Sequence, residues 1–239
     1  MPLYLIPSTL GDGGLDVIPP ATLARTRSIR HFIVETGKVA RRYLKQVGLP
    51  LQECTYYELN KFTRPEDLPG FLAAAERGED VGLLSDAGAP GVADPGAAVV
   101  RIAHARGIPV VPLVGPSAIL LSLMASGMNG QSFVFHGYLS PKRGTLSKDL
   151  QRLEAQSKKL RQTQLWIEAP YRNQAMVETA AATLAPTTLL GVACDLTLPT
   201  ELIRTAPAAE WKNYDAAPLH KRPAMFLLLA DNPPPRPGR

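Results

Sequence analysis

The sequence is short of cysteine, of metal-ligand patterns and of long apolar runs. Cys54 and Cys194 are the two cysteines among 239 residues and form no CxxC pair. That excludes a disulfide framework and points to a reducing cytoplasm. Four histidines, His31, His104, His136 and His220, make no HxxxH or HExxH spacing, so no metal site is expected. Apolar stretches such as Phe226–Ala230 fall far short of the ~20 residues a spanning helix needs. The first twenty residues hold Asp12 and Asp16 and no basic stretch, so no secretory signal is expected. These readings predict a cytoplasmic protein without a membrane partner. Three nucleotide or nucleophile signatures are missing as well. Leu10-Gly11-Asp12-Gly13-Gly14 follows the first apolar run but is not GxGxxG, which argues against a dehydrogenase. GxxxxGK[ST] and GxSxG are absent too.

What is present is an ordinary globular composition, 45% hydrophobic and 20% charged, with proline in excess at 23 residues. Proline stiffens loops and shortens helices. Short apolar runs (Leu3–Pro7, Phe32–Glu35, Val81–Ser85, Val110–Leu113) alternate with helix-like segments (Val39–Val47, Leu68–Arg77, Ala97–Arg106). Strands apolar on both faces and separated by helices predict a parallel sheet covered on both sides. A second series predicts strands at Phe133–His136, Gln164–Glu168, Leu189–Cys194, Leu202–Thr205 and Met225–Ala230. Its predicted helices are Ala118–Ala125, Leu146–Leu160 and Gln174–Leu184. Two prolines and a glycine in Val111–Ser117 suit a linker. The expectation is an α/β protein of two domains, residues 1–113 and 117–232, with a disordered tail at 233–239.

Charge is unevenly distributed. Arg25, Arg27, Arg30, Lys38, Arg41, Arg42 and Lys45 face Glu35 alone, a local net of +6 in a chain of +5. Between Pro141 and Arg161 the local net is +5. Two basic segments in an otherwise acidic chain suit a phosphate-facing footprint. In the second, Leu146, Leu150, Leu153 and Leu160 fall near one helical stripe and leave the charges outside.

Five loops of small and charged residues sit at predicted strand edges. The first, Ser85-Asp86-Ala87-Gly88-Ala89-Pro90 through Asp94-Pro95-Gly96, ends a buried strand. Ligands of open α/β sheets bind beyond the carboxyl ends of strands, and small residues let them reach the backbone. The others are Gly115-Pro116-Ser117-Ala118, Glu168-Ala169-Pro170-Tyr171-Arg172, Ala193-Cys194-Asp195 with Glu201, and Lys221-Arg222-Pro223-Ala224-Met225. A buried Glu168 is costly unless paired, for instance with Arg172.

The order Ser-Asp-Ala-Gly-x-Pro…Asp-Pro-Gly, then Gly-Pro-Ser-Ala, then Glu-Ala-Pro-x-Arg resembles the tetrapyrrole methylase superfamily of S-adenosylmethionine-dependent methyltransferases. Within it the resemblance is greatest to the ribosomal RNA small subunit methyltransferase I family, which 2′-O-methylates the ribose of a cytidine. It covers roughly residues 3–230 and implies a homodimer of two α/β domains with the methyl donor in the cleft between them. It implies donor binding at Pro7, Ser85, Asp86, Ala87, Gly88, Ser117, Ala118, Glu168, Ala169, Val192, Ala193, Pro223, Ala224 and Met225. Two loops depart from the pattern. The usual Pro-x-Gly-Asn-x-Gly-Asp reads Pro7-Ser8-Thr9-Leu10-Gly11-Asp12-Gly13, and Glu-Asp-Thr-Arg reads Glu35-Thr36-Gly37-Lys38.

A ribose hydroxyl is a poor nucleophile at neutral pH, so a base or an orienting hydrogen bond helps. Glu35, retained from the altered motif, is the candidate. Lys38, Arg41, Lys142, Arg143 and Arg172 are the candidate contacts to small-subunit ribosomal RNA. The rival expectations are a methylase of a tetrapyrrole-type small molecule, and a degenerate protein that binds donor or RNA without turnover.

Overall fold

The computed structural model describes residues 1–230. The chain divides into two compact units, Met1–Ser117 and Ala118 onward. The predicted tail, 233–239, lies outside the described residues.

The first unit is a five-stranded parallel sheet. Its strands are β1 (Leu3–Leu5), β2 (His31–Val34), β3 (Thr55–Glu58), β4 (Val81–Leu84) and β5 (Val110–Pro112), in the order β3-β2-β4-β1-β5. Helices α1 (Pro20–Arg27) and α2 (Gly37–Val47) pack on one face, where Tyr43, Leu44 and Val47 meet Phe32 and Val34. Helices α3 (Ala73–Glu76) and α4 (Gly96–Ala105) cover the other, where Val99 and Ala103 meet Leu3, Ile33 and Leu83. Burial on both faces explains why β1, β2 and β4 read as continuous apolar runs. Gly48, at φ +94°, closes α2 by donating its N–H to Leu44 and Lys45 carbonyls.

The second unit is a mixed sheet. Its strands are β6 (Phe133–Tyr138), β7 (Thr163–Ile167), β8 (Leu189–Cys194), β9 (Leu202–Pro207) and β10 (Ala224–Leu229), in the order β6-β7-β10-β8-β9. Only β6 and β7 run parallel; the other neighbours are antiparallel. The cause is local. Seven residues separate β8 from β9, too few for a parallel crossover, so the pair forms a hairpin. Helices α6 (Arg143–Leu160), α7 (Asn173–Thr183) and α8 (Ala208–Trp211) build one core with Trp166, Leu190 and Phe226. Helix α5 (Ala118–Ser126) contacts β8, β9 and β10.

Several expectations need correction. Leu160 is 55% exposed, and Ser157 takes its place in the buried stripe of Leu146, Leu150 and Leu153. The Ser157 hydroxyl accepts the Ala230 N–H at 2.9 Å, which satisfies that buried group. The helix expected over Leu68–Arg77 is a 3₁₀ segment, Pro65–Leu72, followed by the single turn of α3. Pro69 lacks the N–H that an α-helix needs there. Helix α1 and strand β3 carry no apolar period: the buried face of α1 is Thr22 and Thr26, and β3 is a half-exposed edge.

Gly82, in the middle of β4, pairs with Tyr4 on one side and Phe32 on the other. A Cβ there would lie 2.5 Å from Ile6 Cδ1 and 3.0 Å from Phe32 Cδ1. Gly82→Val is expected to cost about 1–3 kcal/mol by overpacking, read as a lower urea midpoint with an unchanged slope.

Candidate active site

In the first unit, β1 and β4 are neighbours whose onward connections leave on opposite faces, through α1 and α4 respectively. Such a switch point opens a crevice at the carboxyl edge of the sheet. The loop after β1 and the loop after β4 meet there. Ser8 donates its N–H to the Gly88 carbonyl at 3.0 Å and its hydroxyl to the Ser85 carbonyl at 3.3 Å. Gly88 sits at φ +71°, and a Cβ on it would approach Leu10 at 3.0 Å. A Cβ on Gly115 would lie 2.3 Å from Pro7. Small residues in these loops therefore allow loop-to-loop contact, whatever else they serve. The Pro7 carbonyl accepts the Tyr43 hydroxyl at 2.9 Å, and burial pushes that phenol up to about 12.

Carboxylates gather at the same edge. Glu35, directly after β2, accepts the Asp86 N–H at 3.1 Å. Asp86 in turn accepts the Thr36 N–H at 3.1 Å and the Thr36 hydroxyl at 2.7 Å. Glu58, at the end of β3, accepts the Gly37 N–H at 3.2 Å. These acids cluster around the first turn of α2, where exposed N–H groups and the helix dipole favour negative charge. Burial, and then repulsion from Asp86 and Asp94, outweighs the hydrogen bond from Asp86 and holds the Glu35 carboxyl above its ordinary value. Asp94, also raised by burial, accepts the N–H groups of Gly91 and Gly96 at 2.8 and 2.7 Å and so shapes the entry to α4.

The second unit gathers three of the predicted loops at one edge, because β10 runs antiparallel to β7 and β8. The end of β7, the end of β8 and the start of β10 coincide there. Glu168, 7% exposed, accepts the Ala169 N–H at 2.7 Å and lies 3.2 Å from Arg172 Nε. Arg222 donates to Asp195 at 2.7 Å and to the Thr200 carbonyl, joining the segment before β10 to the loop after β8. Asn173 holds the same segment, donating to the carbonyls of Leu219 and Arg222 at 3.0 and 2.6 Å. Asp195, Thr197 and Lys221 all take positive φ, between 49° and 71°. Non-glycine residues in that region are held there by their surroundings. Sequence reasoning misses this network: Asp195 and Arg222 both stand in small-residue loops, but nothing in their spacing pairs them.

The predicted residues therefore separate. Pro7, Ser85, Asp86, Ala87 and Gly88 lie on the first edge, and Glu168, Ala169 and Pro223 on the second. Ser117 and Ala118 stand where the two units join in sequence. The Val192 and Ala224 side chains belong to the core with Trp166 and Phe226, as the pleat dictates. Ala193 and Met225 are cross-strand partners and alternate to the other face. Arg172, a candidate substrate contact, has its Nε facing Glu168. The first basic segment is split. Arg25 and Arg30 pair with Asp80 and Glu53 at the amino ends of the strands. Lys38 and Arg41 lie on the first turns of α2, with Arg41 4.7 Å from the Tyr56 ring centre. Lys142 and Arg143 are exposed at the start of α6, beyond the carboxyl end of β6. Cys194 is buried and its thiol is pushed up to about 11, which leaves it inert. Among the described residues no His, Cys, Asp and Glu group could hold a metal ion, and no helix is long and apolar enough to cross a membrane.

This architecture is shared with solved methyltransferases. The methyltransferase CobJ aligns with a TM-score of 0.61 at 18% identity, over 95% of this chain and 93% of that one. Uroporphyrin-III C-methyl transferase from Thermus thermophilus, complexed with S-adenyl homocysteine, aligns at 0.56 and 17% identity over 96% and 97%. The fold is that of the tetrapyrrole methylases. No protein-family model matches the chain. Curated sequences are more specific. Ribosomal RNA small subunit methyltransferase I of Pseudomonas aeruginosa is 30% identical over 229 residues, 95% of this chain and 77% of that protein. The protein of that name from Synechocystis is 32% identical over 202 residues, 82% and 67%. That of Escherichia coli O157:H7 is 28% identical over 235 residues, 96% and 77%. The chain belongs to the ribosomal RNA small subunit methyltransferase I family.

The raised Glu35 carboxyl gives a signed prediction. Its ionised form is disfavoured in the folded chain, so it subtracts stability above its folded value, and that penalty disappears below the ordinary 4.5. Glu35→Gln is expected to be more stable than wild type at neutral pH. The difference should shrink as the pH falls from the raised value to 4.5, followed by urea denaturation at a series of pH values.

Proposed function

We propose that this chain is an S-adenosylmethionine-dependent methyltransferase that methylates the 2′-oxygen of a cytidine ribose in small-subunit ribosomal RNA. The observation that carries the reading is the carboxylate cluster at the switch point, in a chain 30% identical to a ribosomal RNA methyltransferase over 95% of its length. The residues fit the donor. Bound, it supplies a methyl group on a cationic sulfonium. The edge of the first unit offers clustered carboxylates and a loop of small residues, which suit a cationic group.

In this reading, the first unit's candidates for binding and orienting the donor are backbone groups of Asp86–Gly88 with Pro7, Ser85 and Ser117, and the second unit's are Ala118, Glu168, Ala169, Ala193, Pro223 and Met225. Glu35 receives the proton of the acceptor hydroxyl. One of its carboxylate oxygens is fixed by the Asp86 N–H, which leaves the other for the ribose. A carboxyl raised above its ordinary value is the stronger base once ionised. Methyl transfer is an in-line displacement, so the remaining task is to hold oxygen and methyl about 3–3.5 Å apart. Lys38, Arg41, Lys142 and Arg143 meet RNA phosphates, a sequence-independent attraction that sets affinity and orientation. The active species is a homodimer acting in the cytoplasm, where its RNA is found.

The test is transfer of labelled methyl to small ribosomal subunits from a strain lacking this protein, followed by nuclease mapping. A single labelled cytidine ribose is the expected result. No label on RNA, with donor binding intact, refutes the assignment. Glu35→Gln should lower kcat by about 10²–10⁴ with donor affinity retained; full turnover would remove the role of Glu35. Lys142→Ala with Arg143→Ala should raise KM for subunits and reduce the salt slope by about 2, one for each phosphate that is no longer neutralised.

A further inference from the structure

One cavity in the first unit has no role in donor binding or in the transfer step. A hollow of about 700 Å³ opens where β3 ends and the 3₁₀ segment Pro65–Leu72 begins, with Tyr57, Glu58, Asn60, Phe62 and Phe71 in its lining. Its position is fixed by strand register. Glu58 pairs with Val34, the residue before Glu35, and its carboxylate reaches the Gly37 N–H at 3.2 Å. The hollow therefore adjoins the carboxyl edge that carries Glu35.

Its lining is unusual for a surface depression. Phe62 is 80% exposed, and an aromatic ring left in water wants a partner. The loop beneath it is tied by hydrogen bonds: Asn60 Oδ1 accepts the Phe62 N–H at 2.9 Å, and Thr63 ties both ends through Asn60 N–H and the Glu58 carbonyl. Tyr57 and Phe71 stack on each other at 5.5 Å and form an aromatic floor. Lys61 Nζ lies over one face of the Phe62 ring, 5.0 Å from its centre. Three acids, Glu58, Glu66 and Asp67, also line the hollow. Arg64 lies 3.0 Å from Asp67 and 3.6 Å from Glu66, and Glu58 caps α2. An aromatic platform with a neighbouring cation and hydrogen-bonding edges is the chemistry that holds an unpaired base.

We propose that this hollow is a nucleobase subsite, which receives an unpaired base neighbouring the acceptor nucleotide, stacked on Phe62, with Lys61 on its phosphate. The subsite rests on the ribosomal RNA reading above. Holding a flanking base there fixes the strand and presents the acceptor ribose to Glu35. Carboxylate and amide edges favour a base bearing an exocyclic amino group, since carboxylates accept from such groups.

The experiment compares wild type, Phe62→Ala, Phe62→Trp and Lys61→Ala in methylation of small ribosomal subunits. Phe62 is exposed, so its replacement leaves the core intact. Phe62→Ala is expected to raise KM for subunits by about 5- to 100-fold, the scale of one base stack removed, with kcat and donor affinity unchanged. Phe62→Trp should restore KM, and Lys61→Ala should lower the salt slope by about 1. An unchanged KM for Phe62→Ala beside an active wild type overturns the subsite and leaves the methyltransferase reading standing. A change in sedimentation coefficient in place of a change in KM makes the hollow a contact between copies, and also overturns it. Failure of wild type itself to label RNA refutes the function first and the subsite with it.

Discussion

The first unit depends on the insertion of β4 between β1 and β2, two strands that precede it in the chain. The insertion requires a strand without bulk at its centre. Gly82 meets that need, with Ile6 and Phe32 closing over it. It also brings the Ser85–Gly96 loop beside the loops after β1 and β2, so that Ser8, Glu35 and Thr36 can all hydrogen-bond to it. The crevice, the carboxylate cluster and the entry to α4 follow from that one placement. A strand order with β4 at an edge would scatter the same residues.

The second unit reaches a comparable concentration of loops by a different route. Its antiparallel centre turns strand ends and strand starts toward one edge, and side chains then lock the loops together. The Arg222–Asp195 pair and the Asn173 amide do this work with few residues and with backbone held at positive φ. Rigid loops suit a site that must hold a reacting atom within a fraction of an ångström.

Much of this was legible in the sequence, for physical reasons. Strands buried on both faces announce themselves as apolar runs, and the small-residue loop after β4 stood out because strand–helix connections seldom need its composition. The Glu168–Arg172 pair followed from the cost of burying a lone carboxylate. What escaped were elements with no apolar period. Helix α1 turns threonines inward, one of them bonded to the Val114 carbonyl, and β3 is a half-exposed edge. Pleat was also invisible: Val192 and Ala193 are neighbours in sequence, yet only Val192 enters the core that Trp166 and Phe226 share. The first basic segment looked like one surface because sequence does not reveal that Arg25 and Arg30 lie at the opposite end of the strands from Lys38.

The late arrival of β4 has a consequence for biosynthesis. When the first eighty residues have left the ribosome, β1 and β2 have no shared neighbour, and each presents an unpaired strand edge. The gap stays open until residues 81–84 emerge, and β1 gains its other partner only with residues 110–112. At roughly 5–20 residues per second that is a delay of several seconds. Contacts so distant in sequence are slow to form. The unit that holds the carboxylate cluster is therefore exposed to strand mispairing while it is being made, and the nascent chain during that interval is a natural client for chaperones.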